Sequence, residues 1–333
     1  MHFEAAIKHL LSPAGKGANV GFRIRLKHVL ICTQGGAGMA DEVMLDCRGH
    51  VAVVTLNRPE ARNALNLAAL AALADAWKRI DDDPEIRVAI LTGAGGNFCS
   101  GADLKEMHGD QSANPVHQRF IPRDELPAKA LEALRSGALE RAQNYLEEHA
   151  GRGDSVPLHW HAFLRDQRLS KPLIAAVEGF ALGGGTEVLQ ACDLRVAGRS
   201  AQFGLTEVCW GLFPLGGSTA RLTKQIPYTR AMELLLTGAR MGAEEAQQCG
   251  LIGKVVDDGA ALEAALDWAK GIAANGPFAV QQVLASVRAA EGLPDAEAVR
   301  TVDAYGEPVL YSRDAREGAK AFREQRPPKF RGE

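Results

Sequence analysis

Nowhere in these 333 residues does an uninterrupted apolar run reach the ~18–20 residues of a membrane span, so no membrane is expected as a partner. The formal net charge is −3, which leaves no global basic field for nucleic acid. The six cysteines, at 32, 47, 99, 192, 209 and 249, form no CxxC pair, and several sit in apolar stretches. That argues against a disulfide framework and for reduced thiols in the cytoplasm. Cys99 reads as a packing residue, since no histidine is close to it in sequence. A dinucleotide fingerprint is also missing. Gly93-Ala94-Gly95-Gly96 follows a strand, but the sixth position is Phe98 and no helix opens on the glycines. His159 and His161 lie two positions apart on an expected helix and face different sides, so no metal pair is expected there. No internal sequence repeat is visible.

What is present is an ordinary soluble composition, 46% hydrophobic and 24% charged, on a chain long enough to bury a sizeable core. Its organising stretch is Lys171 to Glu187, KPLIAAVEGFALGGGTE. Pro172 to Val177 reads as a short buried strand ending at Glu178-Gly179. Gly183, Gly184 and Gly185 follow, then a run from Thr186 to Ala191 that suits a helix. A helix start presents unengaged N–H groups at the positive end of its dipole, and glycine lets a ligand approach that backbone. Glu187 lies just beyond. Donors for a developing oxyanion beside an acid/base carboxylate make a catalytic site.

Two further blocks accompany this one. The first is Asn97-Phe98-Cys99-Ser100-Gly101-Ala102-Asp103-Leu104. The second is Ala201-Gln202-Phe203-Gly204-Leu205-Thr206-Glu207, followed by Gly211-Leu212-Phe213-Pro214-Leu215-Gly216-Gly217. In this order and spacing they resemble the crotonase family, the enoyl-CoA hydratases and isomerases. The resemblance runs from about Val51 to the C-terminus and is interrupted at residues 108–157. It implies an α/β fold: a spiral of strand–strand–helix turns with a C-terminal helical part that mediates trimers or hexamers.

Three regions are expected. Residues 1–38 form an extension whose basic, acid-poor composition fits either a transit peptide for an organelle matrix or an upstream start before Met39; poor serine content favours the second. Residues 39–257 form the core. It opens with a hairpin of Val43 to Cys47 and Val51 to Leu56, then a helix capped by Asn66 with Leu67, Leu70, Leu73 and Trp77 as its apolar stripe. Arg87 to Thr92 reads as a buried strand. Within the core, residues 108–157 are either a lid that shapes substrate choice or a tolerated surface insertion. Residues 258–333 are helical, with breaks at Gly276-Pro277 and Gly292-Leu293-Pro294.

The resemblance also implies the chemistry. The backbone N–H groups of Ala102 and Gly184 would hold a thioester carbonyl oxygen, and Glu187 and Glu207 would hold a water between them. That oxygen adds to C3 of a 2-enoyl-CoA while C2 gains a proton in syn fashion, Glu187 assisting the water and Glu207 handling the C2 proton. Ala61, Arg62, Ser100, Gly101, Ala102, Asp103 and Leu104 would line the coenzyme A end. Arg62 is either a phosphate partner or a solvated loop arginine. Coenzyme A enters as part of the acyl-CoA substrate, and no separate cofactor is expected. The runner-up activity is Δ3–Δ2 enoyl-CoA isomerisation. A non-catalytic acyl-CoA-binding homologue is the alternative of another class.

Overall fold

The computed structural model describes residues 42–107, 158–165 and 167–333. The readings of residues 1–38 and 108–157 therefore lie outside the described residues. The expected hairpin forms: β1 (Val43–Arg48) pairs antiparallel with β2 (Val51–Leu56). Asn66 then caps α1 (Leu67–Asp82), its side chain accepting from Ala69 N at 2.8 Å. The buried face of α1 is Ala69, Ala72, Leu73, Ala76, Trp77 and Ile80. Leu67 and Leu70, expected in that stripe, are only half-buried: both line a cavity, Leu70 while still packing against the core.

β3 (Val88–Gly93) follows, then a short α2 (Leu104–Met107) and α3 (Leu158–Ala162). The organising stretch supplies β4 (Leu173–Val177), β5 (Phe180–Leu182) and α4 (Gly184–Leu189). The next stretch repeats the order with β6 (Leu194–Gly198), β7 (Gln202–Gly204), a 3-10 turn over Glu207–Trp210, and α5 (Ser218–Gln225). After α6 (Tyr228–Thr237) come β8 (Arg240–Gly242), α7 (Ala243–Gln248) and β9 (Lys254–Val256). Four helices finish the chain: α8 (Ala261–Ala273), α9 (Pro277–Ala290), α10 (Asp295–Leu310) and α11 (Arg313–Arg323).

The strands make two sheets, a six-stranded one in the order β1-β2-β3-β4-β6-β9 and a three-stranded one in the order β5-β7-β8. Successive turns each send one strand to the first sheet and the next to the second: β4 then β5, and β6 then β7. Cys99, bridged to Ala181, gives the turn after β3 its place beside the second sheet. The first sheet is buried on both faces. Leu173, Ala175 and Val177 face one core, and Ile174 and Ala176 the other, which explains why β4 reads as a continuous apolar run. On the second face α8 lays down Ala261, Ala264, Ala265, Ala269 and Ala273, small side chains that let the helix seat close to the strands. No helix among the described residues is long and apolar enough to cross a membrane.

Candidate active site

Both backbone turns of the site are built by pairing along the second sheet. Leu182 N donates to Cys99 O at 2.9 Å, and Gly183 N to Gly204 O at 2.8 Å, so the chain is held until it turns into α4. Gly183 makes that turn at φ 51° and ψ −123°, a conformation that suits glycine alone. Gly185 packs so tightly on the neighbouring turn that a Cβ there would lie 2.4 Å from Cys99 O. On the other side Phe98 N donates to Glu178 O at 2.7 Å and Cys99 N to Phe180 O at 2.8 Å. Ala102 bridges to Leu65, whose N–H donates to Gly101 O at 2.8 Å. The two turns meet: a Cβ built on Gly101 would stand 3.4 Å from Gly184 N. Among the described residues, neither Ala102 N–H nor Gly184 N–H meets an acceptor.

A cavity of about 470 Å³ opens over these turns. Ser100, Gly101, Ala102, Asp103 and Leu104 line one side, Gly183 and Gly184 its floor, and Glu187 and Glu207 both reach it. The remaining wall is largely apolar and includes Leu67, Leu70, Phe163, Trp210, Leu212 and Phe213. Glu187, on α4, is only 4% exposed. Its Oε1 accepts from Ser218 N at 3.3 Å. Burial raises its pKa, against the opposing pull of donors from Gly216 and Ser218 and the charge of Arg165. Glu207 opens the 3-10 turn and is half-buried. Its Oε2 is shut away from solvent with no hydrogen-bond partner among the described residues. Burial first, and then the charge of Glu187, push its pKa up to about 7, although its own N–H opposes the shift.

Ala61 and Arg62 do not line this cavity. They stand behind it, Ser100 N donating to Arg62 O at 3.0 Å and Ser100 Oγ to Ala61 O at 3.2 Å. The Arg62 side chain is exposed, with its guanidinium 5.5 Å from the centre of the Phe180 ring.

The sequence model of the family described as enoyl-CoA hydratase/isomerase matches residues 46–134 and 138–333. The chain belongs to that family. The matched ranges enter residues 108–157, which the sequence blocks alone set apart. Among its relatives, "Enoyl-CoA hydratase EchA19" of Mycobacterium tuberculosis is 46% identical over 289 residues, 87% of this chain and 96% of that protein. The "(E)-benzylidenesuccinyl-CoA hydratase" of Thauera aromatica is 37% identical over 87% of this chain and 99% of that one. The crystal structure of enoyl-CoA hydratase EchA1 from Mycobacterium marinum superposes with a TM-score of 0.71 at 38% identity, covering 88% of this chain and all (100%) of that one. The enoyl-CoA hydratase from Bacillus anthracis gives 0.72 at 33% identity, with the same coverage. The fold is the crotonase fold expected from the motif blocks.

In this family member several side chains that shape the cavity escaped the sequence reading. Asn63, 1% exposed, donates to Ala94 O at 2.9 Å and Asn97 O at 2.6 Å, and accepts from Arg58 N at 2.9 Å. It thus fastens the Asn57-to-Leu65 turn to the base of the Ser100–Ala102 turn. The one available signal was an asparagine in a turn, a residue that tolerates its φ of 57°. Arg58 also pairs with Asp103 at 3.0 Å. Phe163 stands over Gly184, where a Cβ would approach Phe163 Cζ to 3.0 Å. Its backbone is held by Arg221, which donates to Phe163 O at 3.3 Å and to Leu164 O. Trp77 Nε1 donates to Ala162 O at 3.0 Å and fixes the same segment to α1.

Proposed function

We propose that this protein is an enoyl-CoA hydratase that reversibly adds water to a 2-enoyl-CoA to give a 3-hydroxyacyl-CoA. One observation carries the reading: two carboxyl groups and two unengaged backbone N–H groups face a single cavity. The N–H groups of Ala102 and Gly184 donate to the thioester oxygen and stabilise the charge it gains as an enolate forms, a contribution worth about 2.7–4 kcal/mol per donor. Glu187 takes a proton from the water as its oxygen bonds to C3. Glu207 delivers a proton to C2 from the same face, and the enolate collapses back to the thioester. The raised pKa of Glu207, about 7, suits a group that must hold that proton near neutrality. Burial raises the pKa of Glu187, and donors from Gly216 and Ser218 work against that rise, which keeps the charged form within reach of the partner that must begin as a base.

The coenzyme A end lies along Ser100 to Leu104, with Ala61 and Arg62 behind it; coenzyme A arrives with the substrate and no further cofactor takes part. The working form is a homotrimer or hexamer in the cytoplasm. The apolar side chains left open on the C-terminal helices support the assembly. Cys99 and Cys192 lie buried in the core as free thiols, which supports a reducing compartment.

The test is the enone absorbance of crotonyl-CoA and longer 2-enoyl-CoAs. Hydration bleaches it, an isomerase makes it appear from a 3-enoyl-CoA, and a binding homologue does neither. Glu187→Gln and Glu207→Gln should each lower kcat by about 10²–10⁴-fold with the fold intact. Wild-type turnover in both variants would refute the assignment.

A further inference from the structure

We propose that Ser218 and Gln190 are positioning residues that close a hydrogen-bonded ring behind Glu187 and aim its carboxylate into the cavity. The proposal rests on reading Glu187 as the group that activates water. Gln190 follows Glu187 by three residues at the end of α4, so the two side chains share one face. Its Nε2 donates to Ser218 Oγ at 2.9 Å. That contact fixes Ser218 beside α4. The main-chain N–H of Ser218 in turn donates to Glu187 Oε1 at 3.3 Å and closes the ring on the carboxyl. The ring runs from Glu187 along α4 to Gln190, across to Ser218, and back to Glu187.

The ring is sealed from solvent and fixed from outside. Gln190 is 0% exposed and Ser218 1%. The main-chain oxygen of Gln190 accepts from Gln225 Nε2 at 2.9 Å and Arg195 Nη2 at 3.2 Å. Gln190 Oε1 is buried and without a partner among the described residues. A buried, unmatched amide oxygen is unfavourable, and an apolar side chain of similar volume would avoid it. The other charged groups facing Glu187 act at longer range. Glu207 lies across the cavity. Arg165 stacks 3.9 Å over the Trp160 ring and donates to Leu215 O at 2.7 Å, and Arg221 is engaged by the carbonyls of Phe163 and Leu164.

The experiment titrates the Glu187 carboxyl carbon by NMR in full-length protein carrying ¹³C-labelled glutamate, the resonance being assigned by its loss in Glu187→Gln. Ser218→Ala should raise that titration, by about one pH unit at most, because the Ser218 N–H loses the Gln190 contact that holds it on the charged form. Ser218→Thr should restore it. Gln190→Met should move it in the same direction by a similar amount, since it removes the same contact from the other side. Coincident titration curves for wild type and Ser218→Ala, or for wild type and Gln190→Met, would overturn the proposal. This readout does not depend on turnover, so a wild-type protein that fails to hydrate any enoyl-CoA would remove the proposed activity and leave the ring standing or falling by its own data. Where hydration is measured, the acid limb of kcat in Ser218→Ala should move with the carboxyl while KM stays within about twofold.

Discussion

Glu207 illustrates at the scale of one residue how an active group weakens the fold that holds it. Its pKa is raised from an ordinary value of 4.5 to about 7. Between those values the folded chain binds more protons than the unfolded chain, so stability falls as pH rises through that window. At pH 8 the loss approaches about 3 kcal/mol at most. Glu207→Gln has no such proton to lose. It should be more stable than wild type at pH 8, and the gap should close by about pH 4. Urea midpoints at both pH values check this; an equal gap at each would contradict it. Glu187 and Glu207 were legible in the sequence because each follows a recognisable glycine or aromatic block. Their burial was not, since it depends on α5 and the 211–217 loop folding back over α4. Nor was the pairing of Arg58 with Asp103, which lie 45 positions apart and meet only because the two turns are tied together.

At the scale of elements, the site depends on how closely the 211–217 loop seats against α4. A Cβ on Gly216 would lie 2.8 Å from Glu187 Cδ and 2.9 Å from its Cβ, so Gly216→Ala must displace the carboxyl. A shift of that size typically lowers turnover about 10²-fold, and kcat at saturating 2-enoyl-CoA should show it. An unchanged kcat would mean that the carboxyl position is not critical. Elements of five residues or more were mostly legible, because a buried strand or an amphipathic helix of that length carries its own pattern. β5 and β8, three residues each, were not. Their pairing comes from the second sheet, which exists only once the spiral has closed. The break at Tyr311-Ser312 was also missed. No glycine marks it; Ser312 caps α11 there by accepting from Ala315 N at 2.9 Å. Leu67 and Leu70 were legible as part of the apolar stripe of α1, but periodicity does not say whether a neighbour or a cavity lies beside that stripe.

For the whole molecule, the C-terminal helices are joined to the core by polar links and leave apolar surface open. Arg288 on α9 grips Asp193 through Nη2 at 2.9 and 3.2 Å and also donates to Leu169 O, while Arg87 reaches from β3's threshold to Phe330 O at 3.0 Å. Yet Val283, Val287, Val299, Val302, Leu310 and Phe322 stay exposed, Phe322 at 86%. We assign this surface to the contact of the proposed assembly. Light scattering should therefore give a mass of three or six times 35.6 kDa, and Val287→Glu with Val299→Glu should lower it. A wild-type monomer at micromolar concentration would contradict the assembly.

The free N–H at Ala102 belongs to the peptide chain and not to a side chain. Drift at that codon can therefore change the methyl group without touching the donor, and a conventional alanine scan passes over it in silence. Among the encoded amino acids only proline lacks that hydrogen, so one imino acid is the sole genetic means of deleting the contact outright.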